Sequence, residues 1–208
     1  MALETNKTLG AVGALLMVIS PFLGFFTGFL SVLGLVGLIL VLIAMKGMSD
    51  HYNEGSIFNN SLYGVILSIV GGVVFAAALI MTALSFFSDI GIDIYADWSD
   101  PAVFSSINWT EAYLIDTVLA HLAALVGSVV ILFIFVVVAA IFYRKSLTTL
   151  AEKTGIGLFG TAGLLMLIGA VLTIILIGFL LIWVALLLVT IAFFQIRTEP
   201  TQPPPTTP

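Results

Sequence analysis

Asp116 and His121 are the residues of this sequence best placed to handle a charge. Both lie in or beside a long apolar run, and an ionisable group held at membrane depth is costly enough that it usually has a task. With Glu111 and Tyr113 nearby, the chemistry they could support is a proton or cation relay. A spacing of five, however, sets the two on different faces of a helix. The competing reading is a wet helix end, with Asp116 reaching the outer headgroups and a neutral His121 satisfied by a hydroxyl or a carbonyl. The second histidine, His51, stands beside Asp50 and Glu54. Imidazole and carboxylate are normal ligands of a divalent metal, but a solvated loop has the same composition, and no metal or cofactor site is assigned to it.

The longest polar segment, 88–113, carries Asp89, Asp93, Asp97, Asp100 and Glu111 without a Lys or Arg. On a helix the four aspartates form one stripe opposite Ile90, Ile94 and Trp98, as in a helix lying at an interface. A solvated acidic face explains this better than calcium, because no EF-hand spacing is present. Trp98, Trp109, Tyr95 and Tyr113 suit an aromatic belt. Asn108-Trp109-Thr110 is a glycosylation sequon, so Asn108 is a possible modification site. Cysteine is absent, which removes thiol nucleophiles and thiolate metal sites, and no pairing of nucleophile and base is visible. No catalytic residue is assigned, and the chain is not expected to be an enzyme.

The elements that must position these residues are set by composition. The chain of 208 residues is 61% hydrophobic and 8% charged, against about 45–50% and roughly 25% in a soluble domain. Lipid is the solvent that accommodates such a surface, and about 20 apolar residues span it as a helix. The apolar segments are continuous, not alternating, which excludes a β-barrel. A polytopic all-α helical bundle follows. The runs Leu9 to Met45 and Ile156 to Ile196 are each too long for one helix, and are read as hairpins turning after Pro21 and at Gly178. The expected spans are about 8–24, 28–45, 62–87, 114–142, 157–176 and 179–196, within a single domain 1–197. Two short hairpins thus flank two longer central helices, which are expected to form the centre of the bundle. The remainder, 198–208, is a Pro- and Thr-rich tail. No small-residue cleavage site follows the first apolar run, so that run is expected to stay in the membrane.

Charge placement tests the six-span reading independently. With both termini cytoplasmic, Lys7, Lys46, Arg144, Lys145, Lys153 and Arg197 all fall inside, and the acidic loop falls outside. A single span for either long run would break this pattern. Six basic residues and a net charge of −5 also argue against a nucleic-acid partner. The two hairpins share short stretches: Gly10-Ala-Val-Gly13 parallels Gly160-Thr-Ala-Gly163, and Gly28-Phe-Leu30 parallels Gly178-Phe-Leu180. Duplication and chance matching within a small alphabet explain this equally well. Both copies would enter from the same side, unlike an inverted transporter repeat.

The segments LETNKTLGAVGALLMVI, GSIFNNSLYG and LAEKTGIGLFGTAGLLMLIGAVLTIILIGFLLIWVALLLVTIAFFQI together resemble an archaeal family of small multi-pass membrane proteins known as a domain of unknown function. The resemblance covers residues 3 to 197. It implies a cell-membrane location and supplies no activity, substrate or site residue. Some members of that family continue through a Pro-rich linker into a Cys-rich zinc ribbon, whereas this sequence ends at PPPTTP without a cysteine.

Glycines at 24 and 28, 34 and 37, 71 and 72, and 155, 157, 160 and 163 allow helices to approach closely in lipid. The functional expectation is a non-enzymatic membrane component that packs, through such helices, with itself or with another membrane protein. The alternative is a small cation or solute transporter or channel with an acidic outer vestibule. The lack of charged residues at mid-membrane weighs against it.

Overall fold

A computed structural model describes residues 3–26, 32–92, 100 and 110–197. Among these residues the chain is all helical: α1 (Leu3–Phe26), α2 (Val32–His51), α3 (Gly55–Asp89), α4 (Glu111–Thr154), α5 (Gly157–Leu172) and α6 (Ile177–Gln195), with a 3-10 turn at Thr173–Ile175 between the last two. Six helical segments are long and apolar enough to cross a membrane. The chain divides into two compact units, Met1–Val65 with Val137–Pro208, and Ile66–Val136. The helices α3 and α4 run through both.

The connections α2–α3 and α4–α5 are shorter than the polar composition suggests. Residues 46–60 read as a loop, yet α2 continues to His51 and α3 begins at Gly55. The turn between them closes on Asn53, whose φ is 50°, with the Glu54 amide donating to the Ser49 carbonyl at 2.9 Å. Likewise 146–154, which reads as a connection, forms the last turns of α4. The cause is amphipathic packing: Ile57, Leu147 and Leu150 recur at helical spacing and are buried in the core. Apolar run length reports where lipid ends, and the helix does not have to end there. At Gly155 the backbone does turn, at a φ of 71°, the left-handed conformation that glycine adopts without a Cβ penalty.

In both hairpins the facing helices meet at glycine. In the first, a Cβ on Gly13 would stand 2.7 Å from the Gly37 carbonyl oxygen, and one on Gly37 would meet that of Gly13 at 2.5 Å. In the second, Gly169 and Gly178 face each other in the same way. Gly178 is therefore not the turn. That role falls to Leu176, at a φ of 63° and beside the 3-10 segment, while Gly178 sits inside α6 and lets the helices touch just beyond it. The matched stretches of the two hairpins have different neighbours: Gly13 meets its own hairpin partner, whereas Gly163 packs on Arg144 and Leu147 of α4. Gly28–Leu30 lies outside the described residues.

Pro21 is inside α1. It has no N–H for the Met17 carbonyl, and Ser20 Oγ donates there at 3.3 Å. One residue on, the Val18 carbonyl accepts from the Trp183 indole of α6 at 3.0 Å. The carbonyl next to the one that the proline leaves without its donor is thus bonded to a neighbouring helix.

The largest core cluster draws on Ala11, Ala14, Ala44, Met45, Met48, Phe159, Ala162, Val189, Ala192 and Phe193, with the Phe159 and Phe193 rings edge to face at 5.1 Å. The buried members that the long helices supply to it are Ile57, Leu147 and Leu150, all outside the spans 62–87 and 114–142. The core of the unit Met1–Val65 with Val137–Pro208 is therefore built by the two hairpins and the ends of the long helices. Small side chains on α1 and α6 permit close backbone approach, whereas Val73, Ile80, Met81, Leu119 and Ile134 of the long spans are exposed. At 35 and 44 residues, α3 and α4 are also about 50 and 65 Å long, beyond the roughly 30 Å of a hydrocarbon core.

Candidate functional site

Within the unit Ile66–Val136, α3 and α4 pair antiparallel. Gly71 lies under the Phe135 side chain, and near the other end Phe86 stacks edge-on against the His121 ring at 5.4 Å. His121 is held by two oxygens. Its Nδ1 lies 2.8 Å from the Thr117 carbonyl one turn back on α4, and its Nε2 lies 3.6 Å from Asp89 Oδ2 at the end of α3. The His121 side chain is 14% exposed and that of Asp89 51%, so the pair spans from the helix interface to its rim.

This is not the pairing that linear spacing offers. Asp116 is exposed, and the structure turns His121 toward α3 instead. Asp89 was legible as one of the acidic stripe, and only the antiparallel register of two helices makes it the histidine's neighbour. Of the remaining stripe, Asp93 and Asp97 lie outside the described residues, as does the sequon residue Asn108.

The chemistry of the pair follows from its donors. A neutral imidazole has one N–H, and the Thr117 carbonyl, which can only accept, takes it at Nδ1. The Nε2 lone pair then faces a carboxylate. Beside it is an apolar groove of about 380 Å³ lined by Leu79, Phe86, Phe87, Val118 and Leu122.

The other sequence candidates are dispersed. Asp50 is bonded to Lys46 at 2.7 Å, and His51 packs edge-on against Tyr52. Glu54 accepts from Ser56 Oγ at 2.9 Å and lies 3.4 Å from Lys153 Nζ. Among the described residues no three His, Asp or Glu side chains converge on a point that could hold a metal. The Ser56 hydrogen bond, followed by Lys153, holds the Glu54 carboxyl below its ordinary range, and burial pushes the Tyr52 hydroxyl up. One buried polar group has no partner among the described residues: the Asn6 side chain, fully buried against Gly47.

A family described as "Protein of unknown function (DUF996)" matches residues 33–187, which contain the Asp89–His121 pair and most of each of the five helices α2 to α6. The chain belongs to this family. It is the family that the N-terminal, loop and late segments resemble. A member of the curated proteins, "Uncharacterized protein MJ1644" of Methanocaldococcus jannaschii, is 28% identical over 201 residues, or 96% of each chain. No solved structure matches. Neither description names an activity, so what a DUF996 protein does has to be argued from its own residues.

Proposed function

We propose that this DUF996 protein is a non-enzymatic, multi-pass component of the cell membrane that associates with copies of itself or with another membrane protein, its termini on the cytoplasmic side. The observation that supports association is the pair Gly71 and Gly72. Gly71 is filled by Phe135, whereas a Cβ on Gly72 would meet nothing within 4 Å. Ser68 and Ala76, one turn to either side of Gly72, are exposed with it, and Gly127 on α4 is similarly open. A small residue every fourth position lets a second helix approach to backbone contact, where packing drives association in lipid. The clustering of all basic residues at one side of the six-span topology supports the orientation.

The test is purification from the native membrane in mild detergent, with the particle mass and its co-purifying proteins measured. A discrete larger particle, lost in Gly72→Leu, supports the reading; a monomer in both sinks it.

A second reading, a cation or proton path, draws on the Asp89–His121 pair. It predicts acid-driven flux in reconstituted vesicles that Asp89→Asn and His121→Ala abolish and Asp116→Asn leaves in place. Vesicles as tight as protein-free ones would end it.

A further inference from the structure

The six basic residues are not equally engaged. Lys7 donates to the Ile196 carbonyl at 2.7 Å, Lys46 pairs with Asp50 and Lys153 with Glu54. Among the described residues Arg144 and Lys145 have no carboxylate partner, and neither has Arg197, which lines a different cavity. Arg144 and Lys145 stand side by side on α4 where its apolar run ends. Both line a cavity of about 510 Å³ bounded by α3, α4 and α5.

The walls of this cavity are sorted by chemistry. Arg144, Lys145 and Thr148 share one face of α4, with Asn60 of α3 opposite, and supply guanidinium, ammonium, hydroxyl and amide donors. Ile141, one turn toward the apolar run, and Leu167 of α5 supply an apolar wall. Among the described residues no carboxylate lines the cavity, and Glu54, just before α3, is held by Ser56 and Lys153. Lys145 also lies over the Phe142 ring at 5.7 Å, a contact that leaves its charge intact. A ligand suited to these walls has an anionic, acceptor-rich head and an apolar tail. A guanidinium meets phosphate oxygens in a bidentate fork, and a basic pocket between helices at a membrane boundary is suited to such a headgroup.

We propose that this cavity binds the phosphate headgroup of an anionic membrane phospholipid, with Arg144 and Lys145 on the phosphate and the acyl chains running along Ile141 and Leu167. The proposal rests on the reading that the chain spans a bilayer, and is independent of whether it self-associates.

Native mass spectrometry of the detergent-purified full chain tests it, using phosphatidylglycerol and phosphatidylcholine of matched acyl chains. The wild type should retain phosphatidylglycerol about tenfold more strongly at low salt, given two basic residues at the site. The preference should fall as salt rises, survive in Lys46→Gln and Arg144→Lys, and vanish in Arg144→Gln combined with Lys145→Gln. Equal retention of the two lipids by the wild type would overturn the site, as would a preference that the double variant keeps. Displacement of the lipid by inorganic phosphate at equal concentration would reassign the cavity to a soluble anion and overturn it too. Should the double variant fail to fold, the salt response of the wild type decides: a preference insensitive to salt rejects the phosphate contact. The particle mass in the same spectra reports self-association separately, so the two readings can fail independently.

Discussion

Trp183 donates its indole N–H to the carbonyl of Val18 at 3.0 Å, joining α6 to α1 across 165 positions of sequence. That carbonyl lies three residues before Pro21, in the turn whose ladder the proline interrupts, and the Trp183 ring also packs edge-on against Phe22 at 5.7 Å. Trp183→Phe keeps a ring and removes the donor. Interhelical hydrogen bonds in membranes contribute on average about 0.6 kcal/mol, so this variant should lose roughly that much stability, read as a small fall in the detergent unfolding midpoint. In Pro21→Ala, with the helical ladder restored, the same Trp183 change should cost less. Equal losses in both backgrounds would show that the hydrogen bond does not compensate for the proline.

The buried amide of Asn6 against Gly47 leads to the opposite sign. An unsatisfied buried polar group costs about 1–3 kcal/mol. Asn6→Leu, close in volume and apolar, is expected to hold or raise the unfolding temperature. A marked fall in that temperature would mean that the amide has a bonded partner.

Gly71 and Gly72 are adjacent in sequence and point to different tasks. Gly71→Leu drives a side chain into Phe135, whose Cβ already stands 2.5 Å from where a Cβ on Gly71 would lie, and overpacking of this kind costs about 1–3 kcal/mol. Gly72→Leu meets open space and should leave the unfolding midpoint of the monomer within about 0.5 kcal/mol while altering particle mass. Thermal melts and particle masses of both variants check this, and identical behaviour would remove the distinction.

Glu54 sets an acid-side dependence at the turn between α2 and α3. Its folded-state carboxyl titrates below the ordinary value of 4.5, chiefly through Ser56 and then Lys153. A lowered pKa means that the stabilisation is present above 4.5 and is lost as pH falls through the lower folded-state value. Glu54→Gln should therefore flatten the decline in melting temperature below pH 4.5 without changing the slope above it. The side chain is a third exposed, so raising salt should shrink the effect.

Six helices long and apolar enough to cross a membrane, the hairpin nature of the two long apolar runs and the polar character of 88–113 follow from sequence because lipid imposes a length on every apolar helix. That constraint acts on one segment at a time. The partner of His121 was not legible, since Asp89 and Asp116 are both acidic residues near it in composition, and only the register of α3 against α4 chooses between them. The basic cavity was hidden for the same reason: Arg144 and Lys145 read as a boundary marker until α3 and α5 enclose them with Asn60 and Leu167. The glycines show the division most directly. Sequence marks Gly178 as a place where the backbone can turn, and Gly71 and Gly72 as equivalents. Which glycine turns, which is pressed against a neighbour and which is left open depends on where the facing helix lies, and that is fixed by side-chain packing between segments far apart in the chain.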